Sequence, residues 1–155
     1  MARSSFRKDL ARSRDAVIAV LHHLIDDGRV AYELEGKEEQ KRGDICLEGD
    51  DGALDIEVKY DIMAAETGNL CFEMSNGSKP TGIMITLADL IYYVVPRDGY
   101  KEVLVFKPCK LRKFIQDPSK VTIKNGGDKW KFILAIAPIN DILEAGLAEE
   151  TFRIE

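Results

Sequence analysis

The apolar positions of this chain change period several times. Over residues 5–27, Leu10, Val17, Val20, Leu21, Leu24 and Ile25 recur at helical spacing, and Asp26-Asp27-Gly28 closes the run. The spacing predicts a helix there. Residues 30–35 alternate strictly, which predicts a strand, and 36–42 read as a charged connection. Residues 43–60, GDICLEGDDGALDIEVKY, hold two alternating runs about Gly49-Asp50-Asp51-Gly52. That pattern predicts a β-hairpin, because glycine and Asp supply the positive φ a tight turn needs. Residues 61–68 read as a loop or short helix. Further strands are expected at 69–75, 90–95, 102–106, 121–123 and 131–137. Residues 90–95 are apolar throughout, as in a central strand buried on both faces. A basic helix is expected at 108–116, with proline in its first turn, and a terminal helix from Ile139. With no repeat or linker, the whole of 1–155 reads as one α/β domain.

The hairpin sorts its side chains by parity. One face collects Ile45, Leu47, Leu54, Ile56 and Val58; the other collects Asp44, Cys46, Glu48, Asp55, Glu57 and Lys59. A two-residue loop at Asp50-Asp51 sets Asp44 opposite Glu57. A loop at Asp51-Gly52 sets Asp44 opposite Lys59. Carboxylates facing each other across a strand pair repel, so the charged face calls for a cation. Lys59 is one candidate and a bound divalent metal is another, since hard cations take oxygen ligands.

Composition narrows the class. The 155 residues are 45% hydrophobic and 32% charged, enough for one buried core. No apolar run is long enough to span a membrane, and the polar, basic start has no apolar secretory core. Cys46, Cys71 and Cys109 are odd in number and lack a C-x-x-C, which predicts free thiols in a reducing, cytoplasmic setting. The net charge is -5, yet the basic residues cluster. Arg3, Arg7, Lys8, Arg12 and Arg14 lie near the start, and ten more lie between Arg97 and Lys131. Basic segments flanking an acidic centre suit an enzyme that grips phosphates. Cations in the first turns of a helix oppose its dipole, which hints at phosphate contact by Arg7 and Arg12. His22 and His23 are adjacent, so a helix would not aim both at one metal.

Asp44, followed on the next strand by Glu57-Val58-Lys59, resembles the core motif of the PD-(D/E)XK nuclease superfamily. Gly43 stands where many members have proline. E-x-K also occurs at Glu35-Gly36-Lys37 and Glu39-Gln40-Lys41, outside any strand-like run. The resemblance implies a restriction-endonuclease-like core, a central mixed β-sheet flanked by helices. It implies Mg²⁺, with Mn²⁺ substituting, held by Asp44, Glu57 and the Val58 carbonyl. Lys59 would position or activate the attacking water, as base or as electrostatic clamp. Members also carry a helix carboxylate near the metal, for which Asp15 is the nearest match.

A second segment is similar to a sub-family of phage and bacterial endonucleases. It comprises Glu73, then Lys79-Pro80-Thr81-Gly82-Ile83, then Thr86, Ala88 and Asp89. The resemblance makes Glu73 a further ligand or supporting group, and makes the loop with Lys79 and Thr81 a phosphate cradle built on backbone N–H groups. Lys124-Asn125-Gly126-Gly127-Asp128 is similar to a loop before the last strand in the same sub-family. Lys124 there, with Lys110, Arg112 and Lys113 on the basic helix, would face DNA. The implied activity is Mg²⁺-dependent endodeoxyribonucleolysis of branched or junction DNA by a homodimer. A sequence-specific restriction-type enzyme is the rival within the class. A non-catalytic DNA-binding or DNA-mimic module is the rival outside it.

Overall fold

The computed structural model describes residues 2–155, apart from the side chains of residues 2–9 and of residue 128. Helix α1, Ala2–Asp26, presents Ala16, Val17, Val20 and Leu24 as one buried stripe. Strand β1 (Val30–Glu33) is followed by a short helix α2 (Gly36–Arg42), then by β2 (Ile45–Gly49) and β3 (Gly52–Tyr60). Helix α3 (Ala64–Thr67) leads to β4 (Asn69–Ser75), and a 3₁₀ turn at Gly82–Met84 leads to β5 (Leu90–Arg97). Then come β6 (Tyr100–Phe106), α4 (Pro108–Ile115), β7 (Thr122–Gly126), β8 (Phe132–Pro138), α5 (Ile139–Glu144) and β9 (Ala148–Ile154).

Six strands form a mixed central sheet in the order β1-β2-β3-β5-β6-β9, and β4-β8-β7 form a second, antiparallel sheet. Within the large sheet β3 and β5 run parallel, and the other neighbours are antiparallel. The chain is therefore α/β with a mixed sheet and helices.

Two cores share that sheet. On one face α1 packs over Ile45, Leu47, Ile56, Val58 and Val94. On the other, Ile91, Tyr93 and Phe106 pack against Leu70 and Phe72 of β4 and Leu111 of α4. Alternate residues of β5 feed both cores, which is why its sequence is continuously apolar. Phe72 and Phe106 are completely buried; truncating either to Ala removes about 3–5 kcal/mol.

Several expectations need correction. The charged connection at 36–42 is helix α2, held by an i,i+4 pair between Glu38 and Arg42. Strand β4 enters the second sheet and pairs with β8. Lys124 and Asn125 lie within strand β7 rather than in a loop. The acidic tail is strand β9, an edge that pairs with β6. Its Phe152 stacks on His23 with ring centroids 4.2 Å apart, so that histidine belongs to the edge of the core. The three cysteines are free, as expected. Among the described residues no helix is long and apolar enough to cross a membrane.

Candidate active site

The hairpin register decides what faces what. Ile45 pairs with Ile56 and Leu47 with Leu54, so the loop is Asp50-Asp51 and Asp44 lies opposite Glu57. The ladder closes at Asp44 itself. Its N–H donates to the Ile56 carbonyl (2.8 Å) and its carbonyl accepts from Leu34 N–H (2.9 Å). Its carboxylate Oδ2 accepts from the Val58 N–H at 2.7 Å. Backbone and side chain of Asp44 are thus fixed by both neighbouring strands. Val58 turns its N–H toward Asp44, and in a strand the carbonyl of the same residue points the same way. The Val58 carbonyl therefore faces the Asp44 flank.

Glu57 and Lys59 project from the opposite face of β3 to Ile56 and Val58. Lys59 Nζ stands 3.1 Å from Glu57 Oε1, and both side chains are partly exposed. They open into a hollow of about 450 Å³ that Glu73 and Gly82 also line. Glu73 arrives from β4 of the second sheet, so the two sheets meet at this hollow. Gly82 makes the meeting possible. Its φ is +55, and a Cβ there would collide with the Glu73 carbonyl.

Asp55, on the same hairpin face, has its own partner. Arg42 donates to both oxygens of Asp55, through Nε at 3.1 and 3.2 Å and Nη2 at 2.8 Å, and also reaches Glu38 at 3.1 Å. That missing cation came from α2, whose sequence has no apolar periodicity to reveal it. Asp44 keeps no such partner among the described residues. Burial pushes its carboxyl above the ordinary range against the pull of the Val58 N–H, and the nearby Glu57 and Glu39 carboxylates push it further. Glu39 and Lys41, from the E-x-K run outside any strand, line the same hollow. Helix α2, which carries them, buries none of its residues.

Two carboxylates with a backbone carbonyl suit a hard cation such as Mg²⁺ or Mn²⁺, which takes its remaining ligands from phosphate and water. Among the described residues no group of three or more His, Cys, Asp or Glu side chains is assembled to hold a metal. The fit therefore rests on Asp44, Glu57 and the Val58 carbonyl flank.

The remaining candidates scatter. Asp15 lines a hollow of about 530 Å³ with His22, Asp26 and Arg153, on the α1 side of the large sheet. It lies across the sheet from Glu57 and is no partner of it. Arg12 is exposed on the same helix, and the Arg7 side chain lies outside the described residues. Lys79 lines a separate hollow of about 330 Å³. The backbone cradle expected there is already filled by the loop's own side chains. Gly77 N–H donates to Ser75 Oγ, and Ser78 and Lys79 N–H both donate to Asn76 Oδ1. Thr81 Oγ1 is buried with no hydrogen-bond partner among the described residues.

Asp89 is a turn residue. Its carboxylate accepts from Asp55 N–H at 2.8 Å, and its N–H donates to the Asp55 carbonyl at 2.8 Å. Lys110 pairs with Glu149 at 2.7 Å. Arg112 turns inward rather than outward: Nε donates to the Ile83 carbonyl at 2.7 Å and Nη2 to the Thr86 carbonyl at 2.6 Å. It clamps the segment that walls the hollow. Lys113 is exposed on α4. Lys124, from β7, lines a larger hollow that adjoins the first through Lys59, Glu73 and Gly82.

No family model, no curated protein and no solved structure matches the chain.

Proposed function

We propose that this chain is a metal-dependent endodeoxyribonuclease on a restriction-endonuclease-like core, acting on branched or junction DNA. One observation carries the reading. Glu57 and Lys59, 3.1 Å apart, open into a hollow that they share with Glu73, while Asp44 stands opposite Glu57 in the hairpin register. The mixed six-stranded sheet, with α1 on one face and the second sheet on the other, agrees with such a core at the level of layers.

Asp44, Glu57 and the Val58 carbonyl would hold Mg²⁺. Bound there, the ion supplies charge neutralisation at the phosphate and an acidified water. The chain's own groups do the rest. Val58 N–H keeps the Asp44 carboxylate oriented. Lys59 brings its ammonium to the mouth of the hollow, where a non-bridging phosphate oxygen would lie, and stabilises charge that grows during cleavage. Glu57 holds Lys59 in that position. Glu73 borders the same space and orders water beside the phosphate. Symmetric cutting of a junction needs two such centres, hence a homodimer.

The test is cleavage of supercoiled plasmid, linear duplex and a four-way junction with Mg²⁺, Mn²⁺ or EDTA. Metal-dependent cuts, with the junction preferred, support the reading. Tight DNA binding with no cut on any substrate would make the chain a binding module instead. Preference for one duplex sequence would make it a restriction-type enzyme.

A further inference from the structure

The larger hollow beside the candidate active site has a different character. Its volume is about 620 Å³, and it lies between β3 and β5 of the large sheet and β4, β7 and β8 of the small one. It shares Lys59, Glu73 and Gly82 with the smaller hollow, so anything bound at Lys59 borders both. Its walls are largely apolar, with Ile62, Met63, Ile83, Leu134 and Ile136 among them. A pocket of this size, apolar with few polar groups, is the usual form of a site for a flat organic group.

The polar groups narrow the ligand. Asp61 lines the hollow, but its carboxylate is occupied, accepting from Ala64 N–H and Cys71 N–H, each at 3.1 Å. The half-buried Asn69, which carries a carboxamide, also lines the hollow. A carboxamide both donates and accepts, which matches the edge of a nucleobase. Lys124 adds a second ammonium at the hollow, apart from Lys59. Two cations bordering a largely apolar slot that also carries the Asn69 carboxamide fit a nucleotide: phosphates on the lysines, base in the slot.

We infer that this hollow receives an unstacked nucleobase next to the phosphodiester held at Lys59. The inference rests on the nuclease reading and names its substrate class. Unstacking costs a few kcal/mol and least where a base is already unpaired or mismatched. The slot therefore selects nucleotides at junction points, loops and flaps over those in continuous duplex.

The test uses oligonucleotides in EDTA, so that nothing is cut. One carries 2-aminopurine at an unpaired position, a second carries it within continuous duplex, and a third has an abasic residue at the unpaired position. Anisotropy reports binding, and 2-aminopurine emission reports where the base sits. The wild type should change the emission of the unpaired base and leave the duplex base near its free value. It should bind the base-containing strand about tenfold more tightly than the abasic one. Thr67→Trp, which places a large ring in the slot from an exposed position, should abolish both differences. Ile62→Trp serves the same purpose if Thr67→Trp does not fold. Equal affinity for base and abasic strands with unchanged emission overturns the inference and leaves the nuclease reading standing, because metal-dependent cleavage is measured separately. Absence of DNA binding by the wild type overturns both.

Discussion

A Cβ at Gly43 would stand 2.7 Å from the Ile56 carbonyl oxygen, closer than real Cβ atoms come to a neighbouring backbone. Gly43 has φ +126 and immediately precedes Asp44. The same carbonyl accepts the Asp44 N–H, so the glycine lets the strand close on Asp44 while the chain turns away. Proline is locked near φ -65° and cannot take this conformation. Gly43→Pro is expected to destabilise the fold by about 3 kcal/mol or more. Gly43→Ala should cost about 2 kcal/mol. Denaturant unfolding checks both; a proline variant as stable as wild type would mean that this corner is built differently.

Asp44 carries a stability cost that function would explain. Its folded carboxyl is raised above the ordinary range, first by burial. The unfolded chain ionises it near the usual value of about 3.9. Between those two points the folded state holds more protons, so stability falls as pH rises through that window, and the ionised group weighs on the fold above it. Asp44→Asn keeps an oxygen for the Val58 N–H and removes the charge. Its melting midpoint at pH 7 in EDTA should exceed that of wild type, with the difference gone near about pH 3. A variant less stable than wild type at pH 7 would contradict this.

Arg112 holds the wall of the hollow from outside. Arg112→Ala leaves the carbonyls of Ile83 and Thr86 without their donors. The expected loss is about 2 kcal/mol, whereas Lys113→Ala on the exposed side of α4 should stay within about 0.5 kcal/mol of wild type. Equal effects would show that the clamp contributes nothing.

DNA affinity should distinguish the two faces of the sheet. Lys124→Ala is expected to lower the salt slope of DNA binding by about 1. Arg12→Ala, on the α1 side, should leave that slope unchanged. The reverse result would place DNA on the α1 face, away from Glu57 and Lys59.

The sequence made some of this legible for clear reasons. The glycine-flanked turn and the alternation on either side gave the hairpin but left Asp44 opposite either Glu57 or Lys59; only the observed register selects Glu57. The continuous apolar run gave β5. Helix α2 escaped because its residues, Gly36–Arg42, bury none of their side chains, so no periodicity marks them. Strand β9 escaped because an edge strand needs only one inward face, and Phe152 and Ile154 alone supply it. Alternation in β4 showed which residues share a face but not which strand lies beside it. Glu73 reaches the hollow across the two sheets, a route that no local pattern encodes. Asp15, the nearest match to the helix carboxylate that the resemblance implies, and Arg112 both sit on helices, whose faces sequence alone does not orient.

In the proposed function, Asp44, Glu57 and Lys59 form one metal-dependent cutting site. The most direct measurement is the rate of four-way-junction cleavage in Mg²⁺ for wild type, Glu57→Gln and Lys59→Ala, each first shown folded by its melting curve. Wild type should cut, EDTA should abolish the cutting, and either variant should lose at least about 100-fold. Cleavage by Glu57→Gln or Lys59→Ala at the wild-type rate would contradict the proposed function.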